Sequence, residues 1–251
     1  MADLSVTALY TSQVWAWAGL PCADLCATRD AKRVFDLTNL ALAIARKPPL
    51  RVALLHRHLM IDHLLREAGC RRVVELAAGL STRGARTTGV EYVEVDLPAM
   101  IARKRELLAR SERGREVLAR VKLVEGDVTQ LELAPLVAPG KTLVIAEGLV
   151  MYLRGDARRA LFARLAALAT ICGELELVFD LVPAADEPPP GLAGRALEAA
   201  MKRFTGGQSF ERDARTRAGV LDELRAAGFA TARAYASRDV ARAWQLPHGE
   251  R

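Results

Sequence analysis

The sequence predicts an α/β fold: a mostly parallel sheet flanked by helices and preceded by a helical cap. Three observations predict it. From Arg71 onward, short apolar runs alternate with longer amphipathic ones, which is the pattern of strands joined by helical crossovers. Acids close three successive apolar runs. Residues 1–70 show helical periodicity instead.

Taken in order, residues 30–45 and 50–68 are the clearest periodic segments of the N-terminal part, and Lys47-Pro48-Pro49 separates them. Proline lacks a backbone donor and restricts the residue before it. The expected division is a helical cap over residues 1–70 and a core over 71–251. Tyr10, Trp15 and Trp17 lie in the cap, where they either wall a substrate pocket or anchor the cap. Strands are expected at 73–77, 92–95, 121–124, 142–146, 176–181 and 229–235. Helices are expected near 98–109, 156–169 and 216–227. Four prolines in residues 183–191 follow the fifth strand. They lead into a predicted helical insertion at 192–204, ended by Gly206-Gly207. The 183–207 stretch is the natural lid.

Composition excludes several classes. Hydrophobic residues make up 51% and charged residues 26%, so the chain has apolar surface to bury and is not intrinsically disordered. The charge-free stretch Leu4 to Ala23 is interrupted by Thr7, Thr11, Ser12 and Gln13 and broken by Pro21. It reads as neither a membrane span nor, without a basic leader, a secretory signal. Lys plus Arg number 36 against 30 Asp plus Glu, a net charge of +6. The basic residues are scattered beside acids, which describes a solvated surface rather than a nucleic-acid footprint. Cys22, Cys26, Cys70 and Cys172 form no C-x-x-C pair and suggest reduced thiols in a cytoplasmic protein.

The chemistry is concentrated around Val73-Val74-Glu75-Leu76-Ala77-Ala78-Gly79-Leu80-Ser81-Thr82-Arg83, an apolar strand running into a small-residue turn. Small side chains let a ligand approach the backbone, and ligands of open parallel sheets bind beyond the carboxyl ends of the strands. The next strand ends in Asp96, 17 residues after Gly79, where a carboxylate can accept hydrogen bonds from ribose hydroxyls. The third ends in Glu125-Gly126-Asp127-Val128 and the fourth in Ala146-Glu147-Gly148. A nicotinamide enzyme would want G-x-G-x-x-G to cradle a pyrophosphate. The turn here has one glycine, so a phosphate-free nucleoside, S-adenosyl-L-methionine, fits better.

These motifs resemble the leucine carboxyl methyltransferase family, including bacterial polyketide O-methyltransferases of the tetracenomycin type. The resemblance rests on Glu75 to Arg83, Tyr92 to Pro98 with Lys104, Gly126-Asp127, Ala146 to Leu153, and Arg57 with Asp62. It runs from about residue 5 to residue 235. It implies a Rossmann-like class I methyltransferase core with a seven-stranded sheet and S-adenosyl-L-methionine as cofactor, leaving S-adenosyl-L-homocysteine as product. Glu75, Ala77 and Gly79 would lie against the methionine part, with Asp96 and Leu97 at the ribose and Asp127 and Val128 at adenine. Glu147 would stand near the amino end, and Arg57 would pair with the cofactor carboxylate, which its planar fork suits. The sequence departs from the family pattern at Ala77, usually glycine, and at Ser81, usually aspartate.

The implied activity is methyl transfer to a carboxylate or hydroxyl of a small molecule by a monomer or homodimer. A protein C-terminal carboxylate as acceptor and a non-catalytic cofactor-binding protein are the alternatives. The Asp/Asn-Pro-Pro-aromatic tetrapeptide of amino methylases is absent. A hydroxyl acceptor would need a base. The histidine candidates are His56, His58 and His63, with His248 at the tail, a structural or solvated role being the alternative for each; His58 is the expected base, with Tyr152 lining the pocket. A metal is not expected, because His56 and His58 would point about 200° apart on a helix.

Overall fold

The computed structural model describes residues 6–46, 48–181 and 216–247. The predicted lid at 183–207 and His248 lie outside the described residues, as does Lys47 between the two cap helices.

Three helices open the chain: α1 (Val6–Trp17), α2 (Arg29–Ile44) and α3 (Leu50–Ala68). Thr28 caps α2 by accepting from the Ala31 amide, which satisfies one of the helix's orphan donors. Gly69 ends α3 in the left-handed conformation that glycine adopts without strain. Tyr10, Trp15, Phe35 and Leu55 form the core between these helices. Tyr10 and Trp15 are therefore anchors of the cap, whereas Trp17 is 41% exposed beneath the Arg51 guanidinium.

Five parallel strands follow: β1 (Arg72–Leu76), β2 (Glu91–Asp96), β3 (Val121–Glu125), β4 (Thr142–Ala146) and β5 (Leu175–Phe179). Their spatial order is β3-β2-β1-β4-β5. The chain thus steps outward from β1 to β3, then returns to the other side of β1. That reversal opens a crevice at the carboxyl ends of β1 and β4. Between the strands run α4 (Arg83–Arg86), α5 (Pro98–Ala109), α6 (Glu112–Arg120), α7 (Gly155–Ala167) and α8 (Ala169–Cys172), and α9 (Arg217–Ala226) and α10 (Ser237–Val240) come after β5.

Strand periodicity sorts the core onto two faces. Val74, Leu76, Val144 and Ala146 pack with Phe162 and Leu165 of α7. Their neighbours Val73, Leu143 and Ile145 pack with Ile61 of α3 and Leu107 and Leu108 of α5. Alternation of this kind is what a sheet covered on both sides requires.

Two strand expectations need correction. Residues 229–235 form no strand, and the sheet has five strands among the described residues rather than seven. The segment Thr231-Ala232-Arg233-Ala234-Tyr235 has an apolar rhythm but few β-branched residues. Gly228 before it, at φ 110°, turns the chain, and residues 231–235 carry no regular structure. The helix α6 was not foreseen.

Candidate active site

The turn after β1 is built on two left-handed residues, Ala77 at φ 52° and Gly79 at φ 54°. It is tied to the neighbouring strand by its backbone. The Ala78 amide donates to the Val95 carbonyl at 3.1 Å, and the Gly79 amide donates to Asp96 Oδ2 at 2.6 Å. The Leu97 amide donates to Asp96 Oδ1 at 2.7 Å. Burial raises the Asp96 carboxyl above its ordinary range, and these two amides oppose the shift. Leu97 beside it is 53% exposed, so an apolar surface flanks the acid.

Asp127 is exposed at the end of β3. Its Oδ1 accepts from the Thr129 amide at 2.8 Å and the Thr129 hydroxyl at 2.7 Å. Val128 differs from the expectation. It is 6% exposed and packed in the core, so it offers no open edge to adenine; Leu97 supplies the exposed apolar surface at this end.

On the other side of β1 stands a buried charge network. Glu75 is 2% exposed and Arg83 wholly buried. Arg83 Nη1 donates to Glu75 Oε1, Nε donates to Asp62 Oδ1 at 2.7 Å, and Nη2 donates to Glu147 Oε2 at 2.5 Å. The remaining Glu75 oxygen accepts from the Tyr92 hydroxyl at 2.7 Å. Arg83 therefore joins α3, β1 and the end of β4. A buried ion of either sign is tolerated only when its partners are in place. Burial would raise the Glu147 carboxyl, but His58, Arg83 and Arg57 outweigh it and hold it well below the usual range. Asp62 is likewise lowered, burial being outweighed by the guanidiniums of Arg83 and Arg86.

His58 occupies a different place from a free base. It is 1% exposed, and the Trp15 ring covers it with centroids 3.9 Å apart. Nδ1 lies 2.8 Å from Glu147 Oε2 and Nε2 lies 2.6 Å from Arg86 Nη2. A guanidinium only donates, and Arg83 Nη2 also lies 2.7 Å from Nδ1, so both ring nitrogens face guanidiniums and the ring is not doubly protonated. Burial and Arg83 push the His58 pKa down, which agrees with a neutral ring. No face is left for an acceptor's proton.

Arg57 is also engaged by the protein. Nε donates to Glu147 Oε1 at 3.0 Å and Nη1 to Asp180 Oδ2 at 3.1 Å. Asp180, just past β5, also accepts from the Gly148 amide through Oδ1 at 2.5 Å. Tyr152 closes a short 3-10 turn after β4, Val150–Tyr152, and is half-buried. The sequence reading missed two functional candidates. Arg83 lies in the quoted motif, where no role falls to it, and Asp180 lies inside the expected strand 176–181, which in the structure ends at Phe179. The other two described histidines are structural: His56 Nε2 is 2.6 Å from the Pro247 carbonyl oxygen, and His63 stacks on Trp244.

The carboxyl ends of the strands thus gather the expected residues. A surface depression of about 580 Å³ lined by Cys70, Arg71, Thr87, Glu91 and Arg120 lies at the opposite, amino ends, away from all of them.

The model of the leucine carboxyl methyltransferase family matches residues 16–166, which includes α3, the β1 turn, Asp96, Asp127 and Glu147. The chain belongs to the leucine carboxyl methyltransferase family. A relative in Mycobacterium sp. strain KMS is 40% identical over 111 residues, covering 41% of this chain and 36% of that one. One in Mycobacterium tuberculosis is 38% identical over 107 residues, covering 39% and 35%. Both are named S-adenosyl-L-methionine-dependent methyltransferases. The chain spans about a third of the length of these curated relatives. Among solved structures, an O-methyltransferase of Nostoc punctiforme superimposes with a TM-score of 0.51 at 17% identity, covering 78% of this chain and 55% of that one. An O-methyltransferase family protein of Burkholderia thailandensis gives 0.50 at 15% identity, covering 92% and 69%. At such identities these two establish the class I, Rossmann-like fold of this family member. No helix among its described residues is long and apolar enough to cross a membrane.

Proposed function

We propose that this family member is an S-adenosyl-L-methionine-dependent O-methyltransferase acting on a small molecule. The observation that carries the reading is the Asp96–Gly79 junction. There a half-buried carboxylate is held against a small-residue turn, with Leu97 exposed beside it.

The residues fit the cofactor. An ionised carboxylate has about four acceptor sites, and Asp96 spends two on backbone amides. Two remain for a ribose diol. Gly79 takes the turn's left-handed conformation, φ 54°, without the strain a side chain would bring. Asp127 is exposed for the adenine amino group, and Leu97 provides the apolar neighbour that Val128 does not. Ala77 would line the methionine part, with Glu75 acting from beneath through Arg83. Glu147 and Arg57 would face the amino-acid end.

When bound, the cofactor supplies a methyl group already activated by its sulfonium. The chain's own residues need only bind, align the acceptor and exclude water; good alignment is worth up to roughly 7–11 kcal/mol in favourable intramolecular cases. His58 serves to orient Glu147, not to accept the acceptor's proton. A carboxylate acceptor, which needs no base, suits that arrangement better than a hydroxyl. The partner is then a small acid, with a natural product of the polyketide type as one candidate, and the setting is cytoplasmic secondary metabolism.

The test has two stages. Calorimetry should show binding of S-adenosyl-L-homocysteine. A labelled-methyl transfer screen on extracts, with mass spectrometry of the product, should find a small molecule whose label is released as methanol by mild alkali, as a methyl ester's is. Alkali-stable label marks a hydroxyl acceptor, and label on a protein terminus marks the protein carboxyl reading. Cofactor binding with no transfer to any pool would leave a binding protein, and binding of NADH in its place would overturn the proposal.

A further inference from the structure

We infer that Asp180, set between the Arg57 guanidinium and the Gly148 amide at the mouth of the buried charge network, is a specificity-determining residue: its charge makes the site favour S-adenosyl-L-methionine over the demethylated product. The inference rests on the cofactor reading above and adds to it a residue and a reason for product release.

The argument begins with a count of charge. Among the described residues, the connected network holds the guanidiniums of Arg57, Arg83 and Arg86 and the carboxylates of Asp62, Glu75, Glu147 and Asp180. His58 links them as a neutral ring, because both its nitrogens face guanidiniums. Three positive and four negative groups leave one negative charge. The nearby Lys104–Glu94 pair is not joined to this network by an ion pair among the described residues. Without Asp180 the network would balance.

The surplus also lies where a ligand could meet it. The side chains of Arg83, Glu75 and Asp62 are at most 5% exposed, whereas Arg57 is 18% and Asp180 15% exposed. Asp180 is therefore at the open end. It follows β5, which pairs with β4, so it stands beside the turn that carries Glu147 and Gly148. Its two oxygens take one donor each, from Arg57 and Gly148, which fixes the carboxylate and leaves acceptor capacity on both.

The two forms of the cofactor differ by one charge. Both carry an ammonium and a carboxylate, and only the methyl donor carries a sulfonium. A fixed negative charge within about 6–8 Å of that sulfur, at an effective dielectric constant of about 20, favours the cation by roughly tenfold to a hundredfold. Methyl transfer removes the positive charge and with it that part of the affinity.

The experiment is calorimetry of the full chain with S-adenosyl-L-methionine and, separately, S-adenosyl-L-homocysteine. Asp180→Asn should weaken the first by about tenfold or more and leave the second within about threefold, while Asp180→Glu should keep the wild-type ratio. In the wild type, raising salt from about 0.05 to 0.5 M should shrink the ratio of the two affinities through screening. The salt series keeps the idea testable even if the variants fold poorly. Equal weakening of both ligands in Asp180→Asn, or a wild-type ratio indifferent to salt, would overturn the assignment while the cofactor reading stands. Failure of the wild type to bind either ligand would remove that reading and this inference together.

Discussion

On the β2–β3 side of the crevice, acids stand half-exposed or exposed and are held by backbone amides and a neighbouring hydroxyl; on the β4–β5 side, every charge is locked against another. Asp96 and Asp127 touch only amides and the Thr129 hydroxyl. Glu147, in contrast, meets Arg57, His58 and Arg83 at once. The first side can take up a ligand's hydroxyls without breaking anything. The second is preorganised, so its electrostatic field is set before a ligand arrives and costs no rearrangement on binding. Mutations should therefore fail in different ways: the fully buried charges of the locked side in stability, and the acids that reach the crevice in affinity.

The largest effect should come from Arg83→Met. It keeps bulk but leaves Asp62, Glu75 and Glu147 without their shared cation. Breaking a buried pair by removing one partner costs about 3–5 kcal/mol. Thermal unfolding should show a large drop in Tm, and a loss below about 1 kcal/mol would erase the distinction between the sides. The same variant has a signature in pH. Asp62 and Glu147 have folded pKa values below their unfolded ones. Their stabilisation is then full above about pH 4–4.5, and it fades as pH falls through the folded values. The gap in stability between wild type and Arg83→Met should narrow below about pH 4. A gap that holds constant down to pH 2 would mean that these carboxylates are not what Arg83 stabilises.

The open side is sharpened by Asp96→Ala. A hydrogen bond to a charged group is worth about 1.5–3 kcal/mol, so S-adenosyl-L-homocysteine affinity should fall by at least about tenfold. Stability should change by no more than about 1 kcal/mol, because the amides of Gly79 and Leu97 lie at a half-exposed surface where water can replace the carboxylate. Calorimetry and thermal unfolding on one preparation make the comparison. A stability loss as large as that of Arg83→Met would show that Asp96 too belongs to the locked side.

Much of this contrast was legible in the sequence, for physical reasons. β4 reads Thr142-Leu143-Val144-Ile145-Ala146 and its strand bounds coincide with the expectation, because a strand buried on both faces is a continuous apolar run. α3 likewise spans residues 50–68 as expected, fixed by Pro49 before it and Gly69 after it. The acids at strand ends follow from the same runs. The partners of those acids were not legible. Arg83 lies 64 residues from Glu147 and 21 from Asp62, and no local pattern marks a side chain that will be buried by distant ones. His58 was read as a base because its type and place permit it; only the packing of Trp15 over its ring decides otherwise. The run at 229–235 has strand-like spacing, but a strand exists only where a neighbour offers its backbone, and none of the described strands does.

The smallest effect tests the turn on which both sides meet. Ala77 sits at φ 52°, a conformation that costs a residue with a Cβ roughly 1–2 kcal/mol. Ala77→Gly removes that strain but gives the unfolded chain more freedom, an opposing term of about 0.4–1 kcal/mol. The two nearly cancel, and the net should be a gain of between zero and about 1 kcal/mol. Because Ala77 lies in the turn after β1 and packs partly against the core, removal of its methyl should also let a ligand come closer to the backbone. The expected result is therefore a tightening of S-adenosyl-L-homocysteine binding by about two- to threefold, less than 1 kcal/mol, with Tm unchanged or slightly higher. Weaker binding together with a lower Tm would mean that the methyl supports the turn instead of crowding it. Alanine at position 77 would then be a packing residue whose contacts offset its strained backbone.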